Sequence, residues 1–242
     1  MSDMRLCSLS IAVVIGFAIG SPAAGIGQTT VTPASLAARG LPLRTDTLDG
    51  YAPVTEPRGW FGFYVYRVSK EQVNGKTVYY VTTNYTSKEE GTFQSDTLAL
   101  DAMTLAPMWR RFHAKSDGAD VSFAGRHAAG WSEQNGKRVT IDHQLSDEAF
   151  AAPMLRWMVP ALPLTRGSAV TFTTFSIWAN AEDKAALTVT GDESVQLGTR
   201  HFDAWVLESR SGAKTWIEKS SGRVIQTYAP EAGGRGFWTV LR

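Results

Sequence analysis

Apolar and polar residues alternate with a period of two along most of this chain. The clearest stretch is Gly198–Tyr228, GTRHFDAWVLESRSGAKTWIEKSSGRVIQTY. Phe202, Ala204 and Val206 alternate there with His201, Asp203 and Trp205, the pattern of a half-buried strand. The turns RSG and SSG place Gly212 and Gly222 where a tight reversal needs positive φ, so a three-stranded meander is predicted. An equally strong hairpin signal lies at WFGFYVYRV (60–68), the turn Asn74–Lys76, and TVYYVTTNY (77–85). Its first strand is apolar on both faces: Phe61, Phe63 and Val65 on one, Trp60, Tyr64, Tyr66 and Val68 on the other. A strand with one face in water alternates more cleanly, so this one is covered on both sides or lines a cavity.

Further strands are predicted at 97–101, 107–115, 119–126, 137–145, 169–179, 186–198 and 236–242. In 107–115, Met108, Phe112 and Ala114 share a face interrupted by Arg110. In 137–145, Val139, Ile141 and Leu145 share one with His143. The β pattern breaks once, at Ser146–Pro160. Ser146 is a candidate N-cap there, and Asp147 and Glu148 suit a first turn. Pro153 forbids one unbroken helix but fits the first position of a short one carrying Met154, Leu155, Trp157 and Met158. Some twelve or thirteen strands, no βαβ spacing and no fixed repeat describe an all-β domain. The expected architecture is a large antiparallel curled sheet (barrel, half-barrel or sandwich) with one or two short helices.

Before the strands, Arg5 followed by the apolar run Leu9–Ile19 and the small residues SPAAG has the form of a signal peptide over residues 1–24. Leu6 to Gly20 spans 15 residues and includes two serines, short of the roughly 20 apolar residues a membrane-spanning helix needs. An exported protein, periplasmic or extracellular and without a transmembrane anchor after signal removal, is therefore expected. Residues 25–57 are rich in Pro and Thr, with prolines at 33, 42, 53 and 57, and read as a lead-in strap. Residues 58–242 are then a single β-domain, with a monomer as the expected state.

Cys7, the one cysteine, precedes the apolar run, where it suits neither lipid attachment nor a mature disulfide. The net charge is +1 and no basic run exceeds Arg110-Arg111, so nucleic acid is not an expected partner. His113, His127 and His143 lie 14 and 16 residues apart, without the close pair usual in zinc sites, and no metal or other cofactor is expected. The carboxylate pairs Asp192-Glu193, Glu182-Asp183 and Glu89-Glu90 are adjacent in sequence. On a strand they would point to opposite faces rather than flank one bond. No G-x-S-x-G elbow or phosphate-binding glycine loop is present.

Eight tryptophans and seven tyrosines are the compositional excess, and they suit sugar stacking, lipid lining or core packing. The candidate ligand-binding residues are Trp60, Tyr64, Tyr66, Tyr80 and Trp157, with no catalytic residue among them. If the Trp60 face lines a cavity and the Phe63 face forms the core, Tyr64→Ala costs little stability. That smaller loss is the expectation.

Three pieces of the chain, DTLALDAMTLAPM, MLRWMVPALPLTRGSAVTF and GTRHFDAWVLESRSGAKTWIEKSSGRVIQTY, resemble domain of unknown function 3108, a family of exported bacterial β-proteins. The first is similar to its D-x-x-T-L-x-P step between strands. The second is similar to its apolar segment followed by L-x-x-G, and the third to its G-x-x-F-x-A meander with W-I in the middle strand. The resemblance implies an envelope β-fold distantly like the half-barrels of lipoprotein carriers, and it carries over no catalytic residue. The expected function is a non-catalytic extracytoplasmic domain binding an apolar or amphipathic envelope component: a lipid, an apolar small molecule or an envelope glycan. The alternatives are an envelope hydrolase acting on glycan or lipid, or a purely structural interaction module.

Overall fold

The structure is a computed structural model that describes residues 28–52, 59–89, 91–146, 149–151, 155–158, 162, 164–230 and 236–242. The expected signal segment lies outside the described residues. In chain order the elements are β1 (Gln28–Thr30), α1 (Pro33–Ala37), β2 (Thr45–Ala52), β3 (Gly59–Val73), β4 (Lys76–Ser87), β5 (Gly91–Asp101), β6 (Pro107–His113), β7 (Gly118–Ala124) and β8 (His127–Gln134). Then come β9 (Lys137–Gln144), β10 (Ala149–Ala151), α2 (Leu155–Met158), β11 (Ala169–Ser176), β12 (Ala181–Leu197), β13 (Arg200–Ser209), β14 (Lys214–Glu218), β15 (Val224–Pro230) and β16 (Gly236–Leu241).

The strands form one sixteen-stranded sheet, more than the twelve or thirteen expected. β2 to β9 run as a continuous antiparallel meander and β11 to β16 as a second. β16 pairs with β2 and joins the two, while β1 and β10 add to β11 in parallel. The turns are where they were expected. Asn74 and Gly75 both have positive φ, as a two-residue hairpin loop demands, and so do Gly212 and Gly222.

Two elements go beyond the expectations. β8, HAAGWSEQ, was not anticipated, because its small and polar residues lack alternation and only Ala128 and Ser132 are buried in it. Within the expected lead-in 25–57, residues 45–52 form β2, which lies in the middle of the sheet between β16 and β3. Its inward positions are Asp46, Leu48 and Gly50. With a carboxylate and a glycine at two of three inward sites, the hydrophobic alternation is invisible in sequence.

The sheet curls without closing. Its concave side encloses α1 and α2 in a core that includes Leu36, Val68, Val81, Leu98, Leu100, Phe150, Trp157, Met158, Phe172, Leu207 and Ile217. α1 is held by Thr32, whose side chain caps Ser35 while Ser35 caps back. A second apolar cluster brings Phe112, Val121, Phe123 and Ile141 of β6–β9 against Phe175 of β11 and the following Ile177. The two ends of the sheet thus approach each other through side chains. A third cluster gathers Leu48 and Leu241 with Val195, Ala204, Val206, Trp216 and Ile225.

Candidate functional site

Strand parity decides which residues leave the core. On β3, Tyr64 and Val68 are buried, so Val65, Arg67, Ser69 and Glu71 face outward. The register aligns Val65 with Asn84, Arg67 with Thr82 and Ser69 with Tyr80 on β4, and Arg67 with Thr45 on β2. It continues from Thr82 to Thr97 on β5, and from Tyr80 through Ala99 to Trp109 on β6. These outward side chains line a groove of about 590 Å³ across five strands. Its aromatic end is Tyr80 and Trp109, 5.9 Å apart and tilted by 48°. The Arg111 guanidinium lies 4.9 Å from the Trp109 ring. Apart from Val65, the rest of the lining is hydroxyl, amide and charge, with Glu71 its one carboxylate among the described residues.

The structure separates the five residues named from sequence. Tyr80 lines the groove. Tyr64 and Tyr66 face the concave side, where Tyr64 is 5 % exposed and stacks on Tyr85 at 4.7 Å and on Tyr66 at 5.9 Å. Burial, then the neighbouring phenols Tyr66 and Tyr85, push the Tyr64 hydroxyl well above its ordinary range. Trp157 is 1 % exposed and fills the core.

Trp60 does not share the Tyr64 face, a correction that follows from a β-bulge. Gly62 pairs with Gly50 and Trp60 with Tyr51, so Phe61 is the extra residue. The bulge turns Phe61 toward the Tyr64 side, 6.1 Å from Tyr85, and sends Trp60 outward. There the Trp60 indole N–H donates to Asp49 Oδ1 at 3.0 Å. At Gly62, φ is +153°, and a Cβ would lie 2.2 Å from the Thr86 carbonyl oxygen. Only glycine lets the strands approach this closely at the bulge. The expected division of faces is therefore reversed: Tyr64 belongs to the core, and Phe63, half-buried beneath the Arg242 guanidinium at 4.8 Å, does not.

Sequence reading missed Trp109, Arg67 and Asn84, which reach the groove only through register. It also missed an inner polar cluster. Asp46, 2 % exposed, pairs across the sheet with Tyr66 and accepts from Arg44 Nε at 3.0 Å and Arg223 Nε at 2.7 Å. The Arg156 guanidinium lies over the Tyr66 ring at 4.0 Å, and Arg44 stands 5.5 Å from the Trp157 ring. Burial pushes the Tyr66 hydroxyl above its ordinary range, with Arg156 pulling the other way. In sequence Arg44, Arg156 and Arg223 lie far apart, and nothing local links them.

The histidines are dispersed. His127 Nε2 contacts Asp142 Oδ1 at 2.6 Å on the surface, and His143 stacks on Phe175 at 5.1 Å. No group of three or more His, Cys, Asp or Glu among the described residues could hold a metal ion. No helix among them is long and apolar enough to cross a membrane.

Fold and groove together define an all-β, barrel-like domain built on one open, curled sheet. The family described as Protein of unknown function (DUF3108) matches residues 59–231, and the chain belongs to it. Among solved structures, the chain is similar to a beta-barrel-like protein of domain of unknown function DUF1849 from Brucella abortus. That similarity has 12% identity and a TM-score of 0.43, and covers 82% of this chain and 94% of the other. No curated protein matches the sequence.

Proposed function

We propose that this chain is a non-catalytic binding domain for an amphipathic component of the cell envelope, and that the outer groove takes a glycan. The observation that carries this reading is the pairing of Tyr80 and Trp109 with a polar floor. A sugar ring offers a C–H face to aromatic rings and hydroxyls to the surrounding polar groups. Thr45, Ser69, Thr82, Asn84 and Thr97 supply donors and acceptors for those hydroxyls. An acyl chain in the same groove would cover these groups without pairing them, which is costly. Glycosidic hydrolysis needs two carboxyl groups flanking one bond, and Glu71 stands alone in the described lining, which favours binding over cleavage. The envelope setting rests on the apolar N-terminal run and its small-residue boundary.

Calorimetric titration with N-acetylglucosamine oligomers, beside titration with a fatty acid, tests the proposal. Saturable saccharide binding is expected in the wild type. Tyr80→Ala and Trp109→Ala should each weaken it by about tenfold, the loss of one stacked face. Absence of saccharide binding, or unchanged binding in both variants, would remove the groove from consideration.

A further inference from the structure

The inner polar cluster carries an inference independent of the groove. Three guanidinium groups, Arg44, Arg156 and Arg223, converge near the buried carboxylate of Asp46. Both Asp46 oxygens are taken, one by Arg44 and one by Arg223. Arg44 spends its remaining nitrogens on the carbonyls of Ser221 and Gly222. Glu218, the other acid whose charge Arg44 feels, accepts from the Ser221 hydroxyl. Arg156 has neither arrangement. Its Nε and Nη2 are shielded from solvent and have no hydrogen-bond partner among the described residues.

That edge of a guanidinium has a defined use elsewhere in the molecule. Arg110 presents Nε and Nη2 to Asp96 at 3.0 and 2.8 Å, and Arg242 presents the same pair to Asp49 at 3.3 and 2.8 Å. Two parallel N–H groups match the two oxygens of a carboxylate or phosphate, and the fork is most effective where water is excluded. The next residue of α2 adds a second buried donor without an acceptor among the described residues, the Trp157 indole N–H. Burial draws the Arg156 guanidinium below its ordinary value, with Tyr66 and Asp46 acting in the opposite sense and Arg44 adding to it. A cation so placed is costly without a counter-charge. Arg223, one of the three, keeps 37% side-chain exposure, so the cluster reaches the surface.

We propose that the Nε–Nη2 edge of Arg156 is an oxyanion-binding site, which receives a carboxylate or phosphate bidentately on the concave side of the sheet. The anion is either free or the headgroup of an amphiphile, and the two sources share one recognition chemistry.

The test compares full-length wild-type protein with Arg156→Lys and Arg156→Gln. Equilibrium dialysis and thermal melts are run with inorganic phosphate and with dodecyl phosphate below its micelle concentration, sodium chloride holding ionic strength constant. Binding of one anion per chain is expected in the wild type, with a rise in the melting midpoint. Arg156→Lys keeps the charge but loses the fork and should bind about tenfold more weakly. Arg156→Gln should abolish binding and, without anion, should melt no lower than the wild type, because it removes an uncompensated buried charge. Tighter capture of dodecyl phosphate than of phosphate identifies an amphiphile headgroup, and equal capture identifies a free anion. The proposal is overturned if neither anion binds the wild type, or if Arg156→Lys binds as tightly as the wild type. The lysine variant keeps the test decisive should the glutamine variant fail to fold.

Discussion

Tyr64 shows how far one side chain's role depends on its face. It is buried against Leu48, its partner across β2, and is stacked between Tyr66 and Tyr85. Tyr64→Ala should therefore cost about 3–5 kcal/mol, the range for truncating a buried aromatic. Phe63, outward and half-buried under Arg242, should lose about 1–2 kcal/mol on the same change. Urea melts of the two variants side by side check this, and a smaller loss at Tyr64 than at Phe63 would contradict the assigned faces. Arg110 and Asp96 raise a different question at this scale, since they are a bidentate ion pair of two nearly buried groups. The desolvation cost of such a pair largely offsets its attraction, so its main consequence is orientation of β5 against β6.

At the scale of elements, the D-x-x-T-L-x-P step of the family becomes a physical device. Asp101 ends β5, and its Oδ1 accepts from Met103 N–H, Thr104 N–H and the Thr104 hydroxyl at 2.9–3.0 Å. Leu105 takes a positive φ of 56° and is fully buried, which anchors the turn, and Pro107 opens β6. Burial alone would raise the Asp101 carboxyl. The Thr104 and Met103 hydrogen bonds, helped by Lys76, outweigh it and hold the group below its usual range. A depressed folded-state value adds stability above the unfolded pKa of about 4, and that stability is lost as pH falls through the folded value. Asp101→Asn should accordingly be less stable at neutral pH and show a shallower loss between about pH 4 and pH 2. Denaturant midpoints across that range check the slope, and parallel acid limbs would show that the ionised form does not hold the turn.

For the whole molecule, the curl is maintained by contacts between the sheet's two ends. Phe175 on β11 meets Phe123 edge-on at 6.3 Å and His143 in a stack at 5.1 Å. Nearby, the Ser132 hydroxyl of β8 donates to the Ile177 carbonyl at 2.8 Å. Phe175→Ala should cost about 3–5 kcal/mol. Because it removes the bridge between ends, it should also speed amide exchange along β9, far away in sequence. Hydrogen exchange by mass spectrometry separates this from a local effect: acceleration confined to β11 and β12 would show that the curl is held elsewhere. The same curvature gives the domain two chemically different sides, a filled concave interior with its arginine cluster and an outward groove of aromatic and hydroxyl groups.

Sequence alone determined what short-range physics governs. Period-two alternation marked the all-β class, Asn74-Gly75, Gly212 and Gly222 marked reversals, and Pro153 with the following apolar residues marked the region of α2. The family's turn motifs were equally legible, because each is closed within a few residues. What tertiary structure decided depends on parity and on distant partners. One extra residue at Phe61 flips Trp60 to the opposite face from Tyr64, and no local pattern records such an insertion. β2 was hidden because its inward Asp46 is satisfied by Arg44 and by Arg223, 177 residues away. The groove and the arginine cluster share that origin. Both are assembled across register from residues that look ordinary in sequence, since a side chain's environment in a sheet is set by the neighbouring strands rather than by its own.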